Sequence, residues 1–275
     1  MSLKNFLLQS SNKDNIVTIL DIGSSKIICL IAKIKAGKIN IIGHGCHSSN
    51  GFNNGNITDP RLAKTSIIAA VDQAEKSSSI NIDTVILALN GNKIRSHYLT
   101  PSISLKKQKV TDRDVENLIL QGIKELEIHD HEVIHYFPLD YILDGNQDIK
   151  EPCGLLGKQL TAKMHYVTAS SLMLDNIINC LASCQLNVED CIFSPYAAGL
   201  ATLNSNEQEV GSTIIDLGSG ITSYALFSQN NMVYSGFIPI GSMSITNDIA
   251  KSFMLDLSTA ERLKTIHGAA SVNYA

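Results

Sequence analysis

The 275-residue sequence has no long apolar run. Its longest uninterrupted stretch, residues 27–32, falls far short of the roughly 18 residues needed to cross a bilayer, so no membrane span is expected. A secretory leader is missing too: residues 1–10 carry one lysine and only Phe6-Leu7-Leu8 as an apolar segment, too short for a signal core. Surplus charge is scarce, since 22 Lys+Arg oppose 26 Asp+Glu for a net of −4. With a pI near 6.0 the chain offers no general attraction to nucleic acid or anionic lipid, and no nucleic-acid partner is expected. Six cysteines are present but no CxxC pair, which together with the missing leader points to a reduced cytosolic setting. What the chain does have is 44% hydrophobic residues, enough for a sizeable core and inconsistent with wholesale disorder. Its length suits about two domains or one large one.

Patterning predicts strands over residues 16–21, 26–35 and 38–43. A helix should then start at Asp59-Pro60, a capping Asp with Pro at the first helical position, and Ala63, Ile67, Ala70, Val71 and Ala74 form one apolar stripe behind it. A strand over 84–89 closes at Asn90-Gly91, an order that suits an α/β domain. From about residue 92 the texture changes to an extended stretch reaching Leu105, then a Lys106-Lys107-Gln108-Lys109 run read as a solvated loop, or else as a surface for an acidic partner. A helix opens at Thr111 with Val115, Leu118, Ile119 and Gly122 on one face, and a β-rich piece follows over 133–143. The expected organisation is a first subdomain over 1–90, a small inserted α+β subdomain over 91–165, a return with a connecting helix over 166–203, and a partial second domain over 204–275. The second domain holds a hairpin over 213–240 and two helices.

The informative feature is a near-repeat. Thr18-Ile19-Leu20-Asp21-Ile22-Gly23-Ser24 corresponds position by position to Thr213-Ile214-Ile215-Asp216-Leu217-Gly218-Ser219, each an apolar strand ending in Asp, then a Gly/Ser turn, then a second strand. Such a turn lets backbone N–H groups converge on an anion, with hydroxyls from Ser24, Ser25, Ser219 and Thr222 beside them. Phosphate is the natural guest. A strand-ending Asp would repel it unless a divalent cation intervened, so Asp21 and Asp216 are the expected carboxylates for Mg2+ held through waters. Either copy alone could be a plain strand-ending turn; two copies in matched contexts suggest a clamp.

These turns resemble the two phosphate loops of the actin-like ATPase superfamily, and within it the chain is similar to the FtsA family of bacterial cell-division proteins. Leu20-Asp21-Ile22-Gly23-Ser24-Ser25-Lys26 resembles the first loop, and residues 51–59 the segment before the first long helix. More specific are Thr111-Asp112-Arg113-Asp114-Val115 and residues 133–145, which look like the SHS2 subdomain peculiar to that family. Ser194-Pro195-Tyr196-Ala197-Ala198-Gly199-Leu200 is similar to the connecting helix, and Ile238-Pro239-Ile240-Gly241, residues 245–250 and Ala260-Glu261-Arg262-Leu263-Lys264 to the second half.

The resemblance implies an actin-like, ribonuclease H-like α/β fold of two related halves with the small subdomain inserted in the first. It implies ATP and Mg2+ as ligands, with Asp21, Gly23, Ser24, Ser25, Lys26, Asp216, Gly218, Ser219, Gly220, Thr222 and Gly241 around the phosphates and Glu261 and Lys264 near ribose or adenine. It also implies FtsZ and other division proteins as partners, self-association as an actin-like polymer, and a peripheral place on the cytoplasmic side of the inner membrane at the septum.

Three departures stand out. Gly241-Ser242 replaces a usual Gly pair, Ser219 stands where Gly is common, and the family continues beyond Ala275 with more of the second domain, a Gly-rich adenine-side loop and an amphipathic membrane helix. On this reading the second half is incomplete, ATP binding is weak, and the chain has no liposome affinity of its own. It would be at most a weak ATPase, with no catalytic residue identified. Two other readings stay open: a sugar-kinase-like phosphotransferase of the same superfamily, for which no general base is evident, and an inactive fragment marked by early proteolysis after about Leu203. His129, His131 and His135 with Asp130 and Glu132 could form a metal site but read more simply as a solvated turn and one strand face. Cys180 and Cys184 share a helix face and read as core packing.

Overall fold

The computed structural model describes residues 15–91 and 93–271; the apolar segment at 6–8 lies outside them. Strands β1 (Asn15–Ile22), β2 (Lys26–Lys35) and β3 (Lys38–Ser48) form an antiparallel meander. Ala36 and Gly37, both at positive φ, make the two-residue turn that the twist of a hairpin favours. A small hairpin, β4 (Phe52–Asn53) and β5 (Asn56–Ile57), leads into helix α1 (Pro60–Ser78). Asp59 caps this helix, its Oδ1 accepting from the N–H groups of Arg61 at 2.9 Å and Leu62 at 3.1 Å. The whole predicted stripe of α1 is buried. Strand β3 runs five residues beyond the expected end at residue 43. Its Gly43 and Gly45, which look like breakers in the sequence, are where α1 crosses so closely that a Cβ on Gly45 would overlap the carbonyl oxygen of Ala70. Strand β6 (Thr84–Leu89) then runs parallel to β1.

The inserted piece comprises β7 (Ile94–Leu99), β8 (Ser102–Lys109), α2 (Asp112–Glu125), β9 (His131–Leu143), β10 (Asn146–Ile149) and β11 (Leu156–Ser170). Its sheet has the order β10-β9-β11-β7, with β8 also on β11. Two expectations change here. The lysine run lies on strand β8, with Lys106 and Lys109 exposed, because β8 pairs with the start of β11. The central strand β11 was not foreseen: over residues 164–169 it is buried on both faces, which removes the alternation that marks a strand. Helix α2 opens with a capping box between Thr111 and Asp114. It packs so tightly that a Cβ on Gly122 would overlap the Tyr166 hydroxyl.

The chain returns through α3 (Ser171–Ser183) and β12 (Asn187–Phe193), completing the first sheet in the order β12-β6-β1-β2-β3. Helices α4 (Ser194–Thr202) and α5 (Ser205–Val210) follow, the latter unexpected and capped by Asn204. Strands β13 (Ser212–Leu217), β14 (Thr222–Ser228) and β15 (Asn231–Ile238) form a three-stranded sheet, and α6 (Ser242–Phe253) and α7 (Leu257–His267) end the described chain. Ala225, Phe227 and Met232 of this sheet belong to the same hydrophobic core as Leu20, Ile67 and Leu87. Beside them runs a polar seam. Buried His165 places Nδ1 2.8 Å from the Met232 oxygen and Nε2 2.9 Å from Ser96 Oγ, Ser96 Oγ lies 2.8 Å from Ser235 Oγ, and the Tyr98 hydroxyl donates to the Val233 oxygen at 2.6 Å.

The other histidines and the cysteines make no metal centre: among the described residues no group of three or more His, Cys, Asp or Glu could hold an ion. His135 lies on the inward face of its strand. It is tucked among Phe137 and Tyr196, accepts the Phe193 N–H at 2.9 Å, and burial pushes its pKa down to about 4. Cys180 and Cys184 sit against the core, as their helix face implies. No described helix is long and apolar enough to cross a membrane.

Candidate functional site

The carboxyl ends of β1 and β13 meet across a cleft of about 410 Å³. It is lined by Asp21, Gly23, Ser24, Ser25 and Lys26 on one side and by Asp216, Gly218, Ser219 and Gly220 on the other. The two glycines that follow the aspartates shape the turns and do not offer their amides. Gly23 N–H donates to the Lys26 oxygen at 3.0 Å, and Gly218 N–H to the oxygens of Asp216 (3.2 Å) and Ile221 (3.0 Å). The amides of Ser24, Ser25, Ser219 and Gly220 are then the ones positioned to receive an anion, with the serine hydroxyls beside them. The second turn is anchored from behind: the oxygens of Gly218 and Ser219 accept from the first amides of α6, Ser242 at 3.0 Å and Met243 at 2.9 Å. A Cβ on Gly241 would overlap the Ser219 oxygen, so this glycine lets the helix approach the turn and does not itself face the cleft.

Charge within the cleft is unbalanced. Burial, then the neighbouring Asp216 carboxylate, raises the pKa of Asp21 to about 6 against the opposing pull of Lys26. Burial raises Asp216 as well. Two carboxyl groups whose charged forms are disfavoured, next to free amides and hydroxyls, are the donor set that a cation-bound phosphate would satisfy. The residues present therefore fit Mg2+ with a phosphate group. The turns also touch, because a Cβ on Gly220 would overlap Asn54 Oδ1 and would lie 2.8 Å from Ser24 Oγ.

Four expected residues stand outside the lining. Thr222 turns its hydroxyl away, donating to the Ile240 oxygen at 2.7 Å. Gly241 lies behind the second turn. Glu261 and Lys264 bind each other at 2.7 Å and share Thr246, whose hydroxyl lies 2.5 Å from Glu261 Oε2 and 2.8 Å from Lys264 Nζ. Lys264 also donates to the Ser242 oxygen at 3.2 Å, so the pair braces α7 against the start of α6. Those hydrogen bonds hold the Glu261 carboxyl below its ordinary range. The lining also includes polar or small residues outside the expected set, Gly55, Asn90 and Ser242. The signal for Asn90 was its place at the carboxyl end of a strand parallel to β1, where open α/β sheets bind ligands.

A family model described as the SHS2 domain inserted in FtsA matches residues 91–168, and one described as cell division protein FtsA matches residues 213–275. The cell division protein FtsA of Agrobacterium fabrum is 32% identical over 277 aligned residues, covering 97% of this chain and 62% of that protein. That of Escherichia coli K12 is 32% identical over 253, covering 91% and 60%. The chain thus spans somewhat under two thirds of the length of these relatives. Among solved structures, the PilM-PilN type IV pilus biogenesis complex superposes with a TM-score of 0.69 at 16% identity, over 93% of this chain and 71% of that one. The ethanolamine utilization protein EutJ of Carboxydothermus hydrogenoformans gives 0.52 at 12% identity, over 96% and 68%. These similarities establish an actin-like α/β fold.

Proposed function

The chain belongs to the FtsA family of cell division proteins, and from that membership we propose that it binds Mg-ATP between its two Asp-x-Gly-Ser turns and acts as a nucleotide-responsive scaffold. The observation that carries this is the facing pair of turns, with Asp21 and Asp216 bounding one cleft. In this reading the amides of Ser24, Ser25, Ser219 and Gly220 hold the phosphates, the serine hydroxyls add donors, and Asp21 and Asp216 receive the waters of the cation. Bound Mg2+ supplies positive charge that offsets the phosphate and both carboxylates. ATP serves as a conformational ligand more than as a substrate for fast turnover. As part of a family member, the scaffold would link FtsZ filaments to the cytoplasmic face of the inner membrane, assemble with other division proteins and self-associate as an actin-like polymer.

Calorimetry tests the cleft directly. Titration of Mg-ATP is expected to give binding weaker than about micromolar, since a few charge-assisted hydrogen bonds barely exceed the cost of association. Asp216→Ala should abolish it. Heat of binding that survives Asp216→Ala unchanged would remove the paired turns from the account.

A further inference from the structure

We infer that Asn90 is a positioning residue of this cleft: its side-chain amide clasps the second phosphate hairpin to the first half and sets the orientation of the Asp216 carboxylate. The inference rests on the Mg-nucleotide reading for its functional meaning, and on geometry alone for the clasp.

Asn90 follows the last residue of β6, so its backbone belongs to the first half. Both ends of its side chain are spent on the second. Nδ2 donates to Asp216 Oδ2 at 2.9 Å, across 126 residues of sequence, and Oδ1 accepts from the Ser223 hydroxyl at 2.5 Å, across 133. Asp216 and Ser223 are direct cross-strand partners on β13 and β14, so one planar amide spans a paired position of the hairpin. The orientation is forced. A flipped amide would set its oxygen against the Asp216 carboxylate, acceptor to acceptor. Ser223 is fully buried and Asn90 is half-buried, so water competes poorly for these bonds.

The amide bond to Asp216 occupies one carboxylate oxygen, so that the other remains for a cation's water. Because the clasp and the metal-side carboxylate share one residue, opening of the hairpin and loss of the metal geometry become a single event. A side chain that only filled space would not link them.

The test uses the 275-residue chain with hydrogen exchange of peptides covering 212–228, read without nucleotide, and Mg-ATP calorimetry in parallel. Asn90→Ala and Ser223→Ala should each speed exchange in that segment several-fold while leaving helix α2 unchanged. Asn90→Asp should speed it further, since it sets a carboxylate against Asp216. The double variant Asn90→Asp/Asp216→Asn restores a donor–acceptor pair with reversed polarity and should regain protection without regaining Mg-ATP binding. Asn90→Ala should weaken Mg-ATP about tenfold or more. Unchanged exchange in both Asn90→Ala and Ser223→Ala overturns the clasp, as does a double variant that exchanges as fast as Asn90→Asp. If exchange follows the expected pattern but the wild-type chain binds no Mg-ATP, the clasp stands and the nucleotide reading alone falls.

Discussion

Asp21 holds a proton that an ordinary aspartate would release. Its pKa near 6 in the folded chain, against 3.8 for the unperturbed group, means that the native state binds this proton more tightly than the unfolded state does. The associated stability is fully present below about pH 4, is lost as pH rises toward 6, and stays lost above it. At 1.36 kcal/mol per unit the loss is on the order of 3 kcal/mol. Asp21→Asn removes the titration, so the nucleotide-free variant should melt several degrees above wild type at pH 7.5 and level with it at pH 4, as thermal denaturation at the two values would show. A variant that melts lower at pH 7.5 would mean that Lys26, left without its carboxylate, outweighs the relief. Both aspartates were legible in the sequence because the motif occurs twice. Asn90 was not, since an Asn-Gly after a strand reads as a turn and its partners lie more than a hundred residues away. For Glu261 and Lys264 the spacing on a helix shows that the two charges can pair, as they do at 2.7 Å, but not what else they face.

Helix α1 and strand β3 show how elements can be half legible. The start of α1 was readable because a cap is local, an Asp before a Pro with two amides to satisfy. The length of β3 was not, because Gly43 and Gly45 carry no β signal and their role is the closeness of a helix contributed by residues further along. The two glycines Gly45 and Gly37 therefore make contrasting predictions. Gly45→Ala drives a methyl into the Ala70 carbonyl, a backbone clash expected to cost about 1–3 kcal/mol or more. Gly37→Ala meets no atom within contact range, and its penalty comes from the positive φ of 74° alone, about 1 kcal/mol. Urea unfolding of the two variants should rank them in that order, and an equal loss would mean that α1 can shift away from the sheet at little cost. Strand β11 was missed for a different reason: over residues 164–169 it is covered on both faces, so that stretch has no exposed face to register.

At the scale of the whole molecule the near-repeat and the strand–helix order were enough to suggest the fold class, while the docking of the inserted sheet against the second hairpin was not. That docking runs through His165, Ser96 and Ser235, polar residues that any sequence reading assigns to a surface. Its consequence is mechanical. Phe137 and Val167 of the insert, Leu87 of the first half and Phe227 and Met232 of the hairpin share one core, and a Cβ on Gly199 of α4 would overlap the ring of Phe227. The hairpin therefore has no separate core to melt. Helices α6 and α7 differ, since Thr246, Ala250 and Ala260 are their only buried positions and Phe253 and Met254 at their junction are 69% and 94% exposed. Calorimetry should show one transition for the first half, insert and hairpin together, while limited chymotrypsin digestion should cut first near 253–255. An inactive fragment with a loosely attached second half predicts the reverse: two transitions and a first cut after about Leu203. Between these outcomes the shared core decides, because cutting at 203 exposes a chain whose neighbours Phe227 and Tyr196 stack at 6.1 Å across the very junction that would have to open.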